Sequence, residues 1–224
     1  GEGHGIFGNP ATFFMFRGVG GGTHPDFANT FPLAVFAMFQ LKFAIITPAL
    51  ITGSFAGRVR FRAYMLFMCL FVLFIYAPLA HWTWHPNGFL RNWGVLDFAG
   101  GTVVHINAAV AGLVASVVIG KRKGYQKISM APHNLTYTLI GAALLWVGWF
   151  GFNGGSQLML SDFENATAVG QIFLNTNAAA AAGAACSGSS TQQRQRKRPR
   201  QQQRQRQRQR GGNGRKSGSS SSSR

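Results

Sequence analysis

Acidic side chains are scarce in this chain of 224 residues: five Asp and Glu stand against 22 Lys and Arg. All five (Glu2, Asp26, Asp97, Asp162 and Glu164) precede residue 165. Twelve of the 22 bases crowd into residues 191–224, so the formal charge of +17 belongs mostly to that end. The mean hydropathy of +0.07 therefore averages two unlike regions. Cysteine is also rare, with two in the chain, too few to specify a disulfide framework. Cys69 inside an apolar run and Cys186 among alanines read as small buried hydrophobes. No charged segment leads into a short apolar one at the start, so no signal peptide is indicated. A fragment that begins mid-protein is the expectation.

What the chain does have is long apolar runs. Four of them, about 31–57, 61–84, 97–120 and 135–156, each supply the roughly 20 residues that span a bilayer core. A partial fifth is expected over 175–186. The predicted class is an all-α polytopic membrane helix bundle, its membrane part covering 31–186. Residues 1–30 are Gly-rich loop, and 187–224 form an Arg/Gln/Ser-rich tail whose composition predicts disorder. Arg58, Arg60 and Arg62 join the first two runs; Lys121, Arg122, Lys123 and Lys127 join the third and fourth. The other connections carry Arg91 alone, or Asp162 with Glu164. Positive residues mark the cytoplasmic side, which puts residues 1–30, 85–96 and 157–174 outside.

The third run, DFAGGTVVHINAAVAGLVASVVIG from Asp97 to Gly120, opens on a carboxylate and carries an imidazole, His105. Ionisable groups within a membrane helix are costly and read as functional by default. Small neighbours (Gly100, Gly101, Ala108, Ala111, Gly112) let other helices approach closely, so a buried imidazole on a polar pathway, in a channel or transporter, is the leading reading. A satisfied core histidine is the alternative. No second His, Cys or carboxylate stands three or four residues from His105, and neither a metal site nor a cofactor is expected. Asp97 reads as a helix N-cap or as a charge drawing a cation to the outer mouth, and the two are compatible.

Depth along each run orders the remaining candidates. Trp84 and Ser156 fall at the outer ends of the second and fourth runs. Phe39 lies about 12 Å below Phe31 and Phe43 about 6 Å deeper; His105 lies about 12 Å below Asp97. Phe152 is one turn below Ser156. From outside inward this gives an indole and a hydroxyl, then phenyl rings, then an imidazole. Aromatic faces attract cations, although Trp84 alone also suits an interfacial belt with Trp82 and Trp93, and Phe39 with Phe43 also suits a packed stripe. Lys42, beside Phe43, is a costly charge unless it faces a cavity.

The segments DFAGGTVVHINAAVAGLVAS, IGKRKGY, PHNL and LLWVGWFGFNGGS, with FQLKFAIITPALITGSFAGRVRF and YAPLAHWTW in the same order, resemble the ammonium transporter family (Amt/Mep/Rh) over roughly residues 5–186. The resemblance implies a homotrimer of eleven-helix subunits, each with its own pore, in the plasma membrane. It implies Trp84, Phe39 and Ser156 at an outer ammonium site, Phe43 and Phe152 as gate rings, and His105 as the first of two pore histidines. Asp97 becomes the structural acid near the recruitment site. Two helices are implied to precede these segments, and the second histidine to lie on a later helix. Trp84 is followed here by His85-Pro86-Asn87-Gly88 where the family has a glycine run.

Stripping water from an ammonium ion in an apolar medium costs on the order of tens of kcal/mol. A phenyl-gated pore is therefore expected to bind NH₄⁺ outside, release a proton and pass NH₃, an imidazole serving as donor or acceptor. A Rhesus-type channel and an ammonium sensor share such a pore. An intramembrane enzyme using His105 is the alternative from another class, and it needs a second catalytic group on a facing helix. The basic tail suits nucleic acid by charge, but that leaves four apolar runs without purpose, and no nucleic-acid partner is expected.

Overall fold

The computed structural model describes residues 5–125, 127–128 and 133–187, and the regular elements among them are helices. Most of the tail expectation for 187–224 lies outside the described residues. Among the described residues, four helices are long and apolar enough to cross a membrane: Leu33–Ser54, Phe61–Asn92, Gly101–Ile119 and Leu135–Gly155. All belong to the first of two compact units, Gly1–Ile172 and Phe173–Arg224. Residues 163–172 close the first unit in a helix, and residues 173–187 of the second are helical.

The first long helix is α-helical from Leu33 to Leu50. Pro48 removes an internal N–H donor, and four residues later the helix tightens into a 3₁₀ turn, Thr52–Ser54. The second runs Phe61–Phe71, widens to a π-turn over Val72–Tyr76, and resumes as Ala77–Trp84. The π register lies directly before Pro78, whose ring removes the N–H that an α-helix would aim at Phe74. A short turn, Phe89–Asn92, follows.

The third helix starts at Gly101, four residues later than the apolar run suggests, because Asp97 to Gly100 form its cap. Its first turns, Gly101–Ile106, are also π-helical, and Asn107–Ile119 are α-helical. The fourth, Leu135–Gly155, is capped by Asn134, whose Oδ1 accepts the Tyr137 N–H at 3.0 Å. The next helix begins at 163 rather than near 175. Asp162 starts it: its Oδ1 accepts the Asn165 N–H at 2.8 Å and its Oδ2 the Asn165 amide at 2.7 Å. Those bonds hold the Asp162 carboxyl below the usual carboxylate range.

Phe43, Ile51, Phe55, Phe71, Tyr76, Val103, Val104 and Ala108 form the core where the first three helices meet. Small residues allow the approach. A Cβ added at Gly112 would sit 3.7 Å from Ser54 Cβ, an ordinary contact. At the end carrying Arg58, Arg60 and Arg62, the Arg58 guanidinium donates to the carbonyls of Ser54 and Gly120. It thereby meets the negative ends of the first and third helices. Cys69 and Cys186 are exposed rather than buried; at Cys69 an apolar thiol on a membrane helix faces outward without the penalty water imposes.

Candidate functional site

The aromatic candidates from three helices converge at the end opposite Arg58. Phe43, 2% exposed, is the hub. Its ring meets Phe39 edge-on at 4.9 Å and 74°, Trp84 edge-on at 5.3 Å and 81°, and Phe152 at 4.3 Å and 37°. Phe39 and Phe43 share a face because they are one helical turn apart. The approach of the fourth helix depends on a glycine. A Cβ at Gly155 would come within 2.7 Å of the Phe39 ring, closer than real Cβ contacts allow.

Asp97 organises one side of the site through both backbone and side chain. Its Oδ1 accepts the N–H groups of Gly100 at 2.6 Å and Gly101 at 2.8 Å; its Oδ2 accepts those of Thr102 at 2.8 Å and Val103 at 3.0 Å. Four donors at a helix start, otherwise orphaned, are thus satisfied by one carboxylate. The turn requires Gly100 in the left-handed region, φ +94°, where a Cβ is strained. The Asp97 backbone carbonyl accepts the Trp84 indole N–H at 2.9 Å. Arg91 donates to the Trp84 carbonyl at 2.8 Å. The indole is therefore fixed in orientation, at 81° to the Phe43 ring.

Ser156 is nearly buried, and its hydroxyl donates to the Phe152 carbonyl at 2.9 Å. The donated proton leaves the oxygen lone pairs as acceptors, the form that suits a ligand with N–H groups only. Beneath Phe152 lies His105, on the π-turn of the third helix; its ring centre is 6.4 Å from Phe152 and 5.7 Å from Trp149. Trp149 in turn stacks on Phe152 at 5.0 Å and 22°. His105 is exposed in this chain rather than buried. The packed residues of its turn are Val103 and Val104, each 0% exposed, so the imidazole projects past the side of the helix that the described helices cover.

The structure thus gathers Phe39, Phe43, Trp84, Phe152 and His105 into one run of ring contacts, with Ser156 one turn beyond Phe152 and Asp97 bracing Trp84. Trp149, which no sequence motif singles out, belongs to the same run. It stands three residues before Phe152, the spacing that puts both on one helix face. Among the described residues no group of three or more His, Cys, Asp and Glu is arranged to hold a metal ion. A separate cavity of about 980 Å³ lies nearby, lined by His24, Asp26, Phe27, Gln40, His81 and His85 among others.

The Ammonium Transporter Family profile matches residues 3–202. An ammonium transporter of Bacillus subtilis is 50% identical over 154 residues, 69% of this chain and 36% of that protein. An ammonium transporter of Aquifex aeolicus is also 50% identical, over 69% of this chain and 35% of its own length. The chain therefore spans about a third of the length of these relatives. Among solved structures, Candida albicans Mep2 superposes with a TM-score of 0.62 at 35% identity, covering 70% of this chain and 35% of that one. Saccharomyces cerevisiae Mep2 gives 0.63 at 36% identity, covering 71% and 36%.

Proposed function

Because this chain belongs to the ammonium transporter family, an integral, multi-pass family of transporters and not enzymes, we propose that the full-length protein carries ammonium across the plasma membrane. Its aromatic end faces outside. NH₄⁺ is held there by the Trp84 and Phe39 rings and by the Ser156 oxygen, with the Asp97 cap bracing the site. The Phe43–Phe152 pair is the gate. NH₃, with or without its proton, passes His105. The assembly is a homotrimer with one pore in each subunit.

The observation that carries this reading is the position of Phe43. It is wedged between Trp84 at 5.3 Å and Phe152 at 4.3 Å, with His105 beyond Phe152. A cation over desolvated aromatic faces gains about 2 kcal/mol or more, enough to collect NH₄⁺ but far short of its dehydration cost. The ion is therefore retained outside the phenyl pair while neutral NH₃ continues. An imidazole beyond the gate supplies a donor and an acceptor to the passing molecule. An intramembrane enzyme is disfavoured because the family to which the chain belongs is one of transporters; among the described residues the rings against His105 are those of Trp149 and Phe152.

The experiment is uptake of ammonium in proteoliposomes holding the full-length protein, comparing wild type with Phe43→Ala. Removing the hub ring opens the seal between Trp84 and Phe152, so the variant is expected to lose selectivity for ammonia over water. Unchanged water permeability and unchanged uptake would sink the assignment of Phe43 as a gate.

A further inference from the structure

Between their first and last turns, the four long helices contain one Lys, Arg, Asp or Glu, and it is Lys42. It stands nine residues past Leu33 and twelve before Ser54, about 14 Å and 18 Å from the two ends at 1.5 Å per residue. Its side chain has five bonds of about 1.5 Å, so even fully extended it falls about 6 Å short of the nearer end. Snorkelling to the interface, the usual escape for a membrane lysine, does not rescue this one. Nor is a lipid phosphate within reach.

Lys42 does not face the aromatic site. Val35, Met38 and Ile45 are 55%, 45% and 53% exposed, and Lys42 and Ala49 are exposed with them. These five positions alternate by three and four residues and so form one face. Phe43 and Thr47, on the other side, are 2% and 0% exposed. The first helix therefore has a core face that builds the aromatic site and a second, apolar face with an ammonium group at its middle. Gln40, not Lys42, lines the 980 Å³ cavity.

A charge at that depth faces a water-filled cavity or pairs with backbone carbonyls or a counter-charge. Lys42 is absent from the linings of the described cavities and the carbonyls of its helix are engaged in their own ladder, which leaves a counter-charge. The described residues do not supply one. The Asp97 carboxylate accepts four backbone N–H groups, and Asp26, Asp162 and Glu164 precede or follow the long helices. A second copy of the same residues brings no mid-helix carboxylate either. We propose that the Val35–Met38–Lys42–Ile45–Ala49 face docks a membrane helix that carries an Asp or Glu near the bilayer midplane, and that Lys42 is the ion-pair partner of that acid. The small Ala49 permits close helix approach on one side of the pair. This rests on the membrane placement of the chain and not on the ammonium pathway, so it stands or falls independently of the gate.

The test uses the full-length protein in its membrane with Lys42→Arg, Lys42→Met and Lys42→Glu, reading folded yield by size-exclusion profile in mild detergent. Methionine matches lysine in length and suits lipid, so it isolates the charge. Arginine is expected to stay within about twofold of wild type because it preserves the pair. Methionine is expected to fall about tenfold because it leaves a buried carboxylate unpaired, and glutamate lower still. A screen of random variants of the Lys42→Glu protein for restored folded yield in the membrane should return an Asp or Glu changed to Lys on another membrane helix. A Lys42→Met protein equal to or better than wild type would overturn the proposal, since the amine then faced lipid or was carried uncharged. Arginine falling as far as methionine, or suppressors that never alter an acid, would overturn it equally.

Discussion

Asp97 offers the sharpest separation of a structural role from a transport role. Its two carboxylate oxygens accept four backbone N–H groups at 2.6 to 3.0 Å. Truncation to Ala leaves all four without a protein acceptor. Water at the helix end recovers part of the loss, so about 1 kcal/mol per orphaned donor, near the low end for buried groups, gives roughly 4 kcal/mol. Asp97→Asn keeps one oxygen for Gly100 and Gly101 but turns an amide N–H toward Thr102 and Val103. It should lose about half as much, since two of the four bonds survive. The Trp84 indole bonds the Asp97 carbonyl at 2.9 Å, so loosening this turn also frees Trp84. The assay is thermal unfolding of the purified full-length protein alongside ammonium uptake. Stability should fall in the order wild type, Asn, Ala, with uptake falling in parallel. An Ala variant as stable as wild type but unable to take up ammonium would refute the cap and make the carboxylate's charge its contribution.

Trp84→Leu should keep the fold and raise the ammonium concentration for half-maximal uptake about fivefold to thirtyfold, the equivalent of 1 to 2 kcal/mol of cation–π attraction; wild-type uptake at limiting ammonium would leave Trp84 as an interfacial anchor. Gly155→Ala puts a methyl 2.7 Å from the Phe39 ring, so displacement of Phe39 and reduced flux are expected; flux equal to wild type would show that the helix shifts to accept the methyl. The Asp162 cap has a defined pH sense. Its carboxyl is held below the ordinary range by Asn165, so the capping contribution is present above the unfolded carboxylate range and is lost as pH falls through the lowered value. Circular dichroism should accordingly show an acid-induced loss of helix in wild type that Asp162→Ala lacks. A cysteine introduced at Gly124 should react with membrane-impermeant reagent only after permeabilisation, since the surrounding Lys and Arg mark that loop as cytoplasmic.

Much of this arrangement is legible in the chain because the signals are local. The apolar runs announce the helices, and one-turn spacing puts Phe39 with Phe43. Asp97 ahead of two glycines is recognisable as a cap, and it also explains why the third helix waits until Gly101. The Asp162 cap carries a similar signal, an acid three residues before Asn165, but acids in a connection read first as loop. The π-turns at Val72–Tyr76 and Gly101–Ile106 are not legible, because one extra residue per turn barely changes an apolar pattern in helices that are apolar all round. Trp149 was hidden for the same reason. In a helix where nearly every residue is apolar, the hydrophobic face does not single out the ring that will meet His105. The exposure of His105 and Cys69 follows from a single-chain fact that composition cannot give, namely which sides of each membrane helix its neighbours in this chain cover.

The claim on which the account turns is that His105 lies on the ammonium pathway, past the Phe43–Phe152 pair. The most direct measurement is ammonium flux and membrane current recorded together for full-length wild type and His105→Ala, at matched amounts of protein in the bilayer. His105→Ala should reduce or abolish flux, or change the ratio of charge to ammonium carried, while the protein stays folded and inserted. A His105→Ala protein matching wild type in both flux and current would contradict it and leave the imidazole a packing residue.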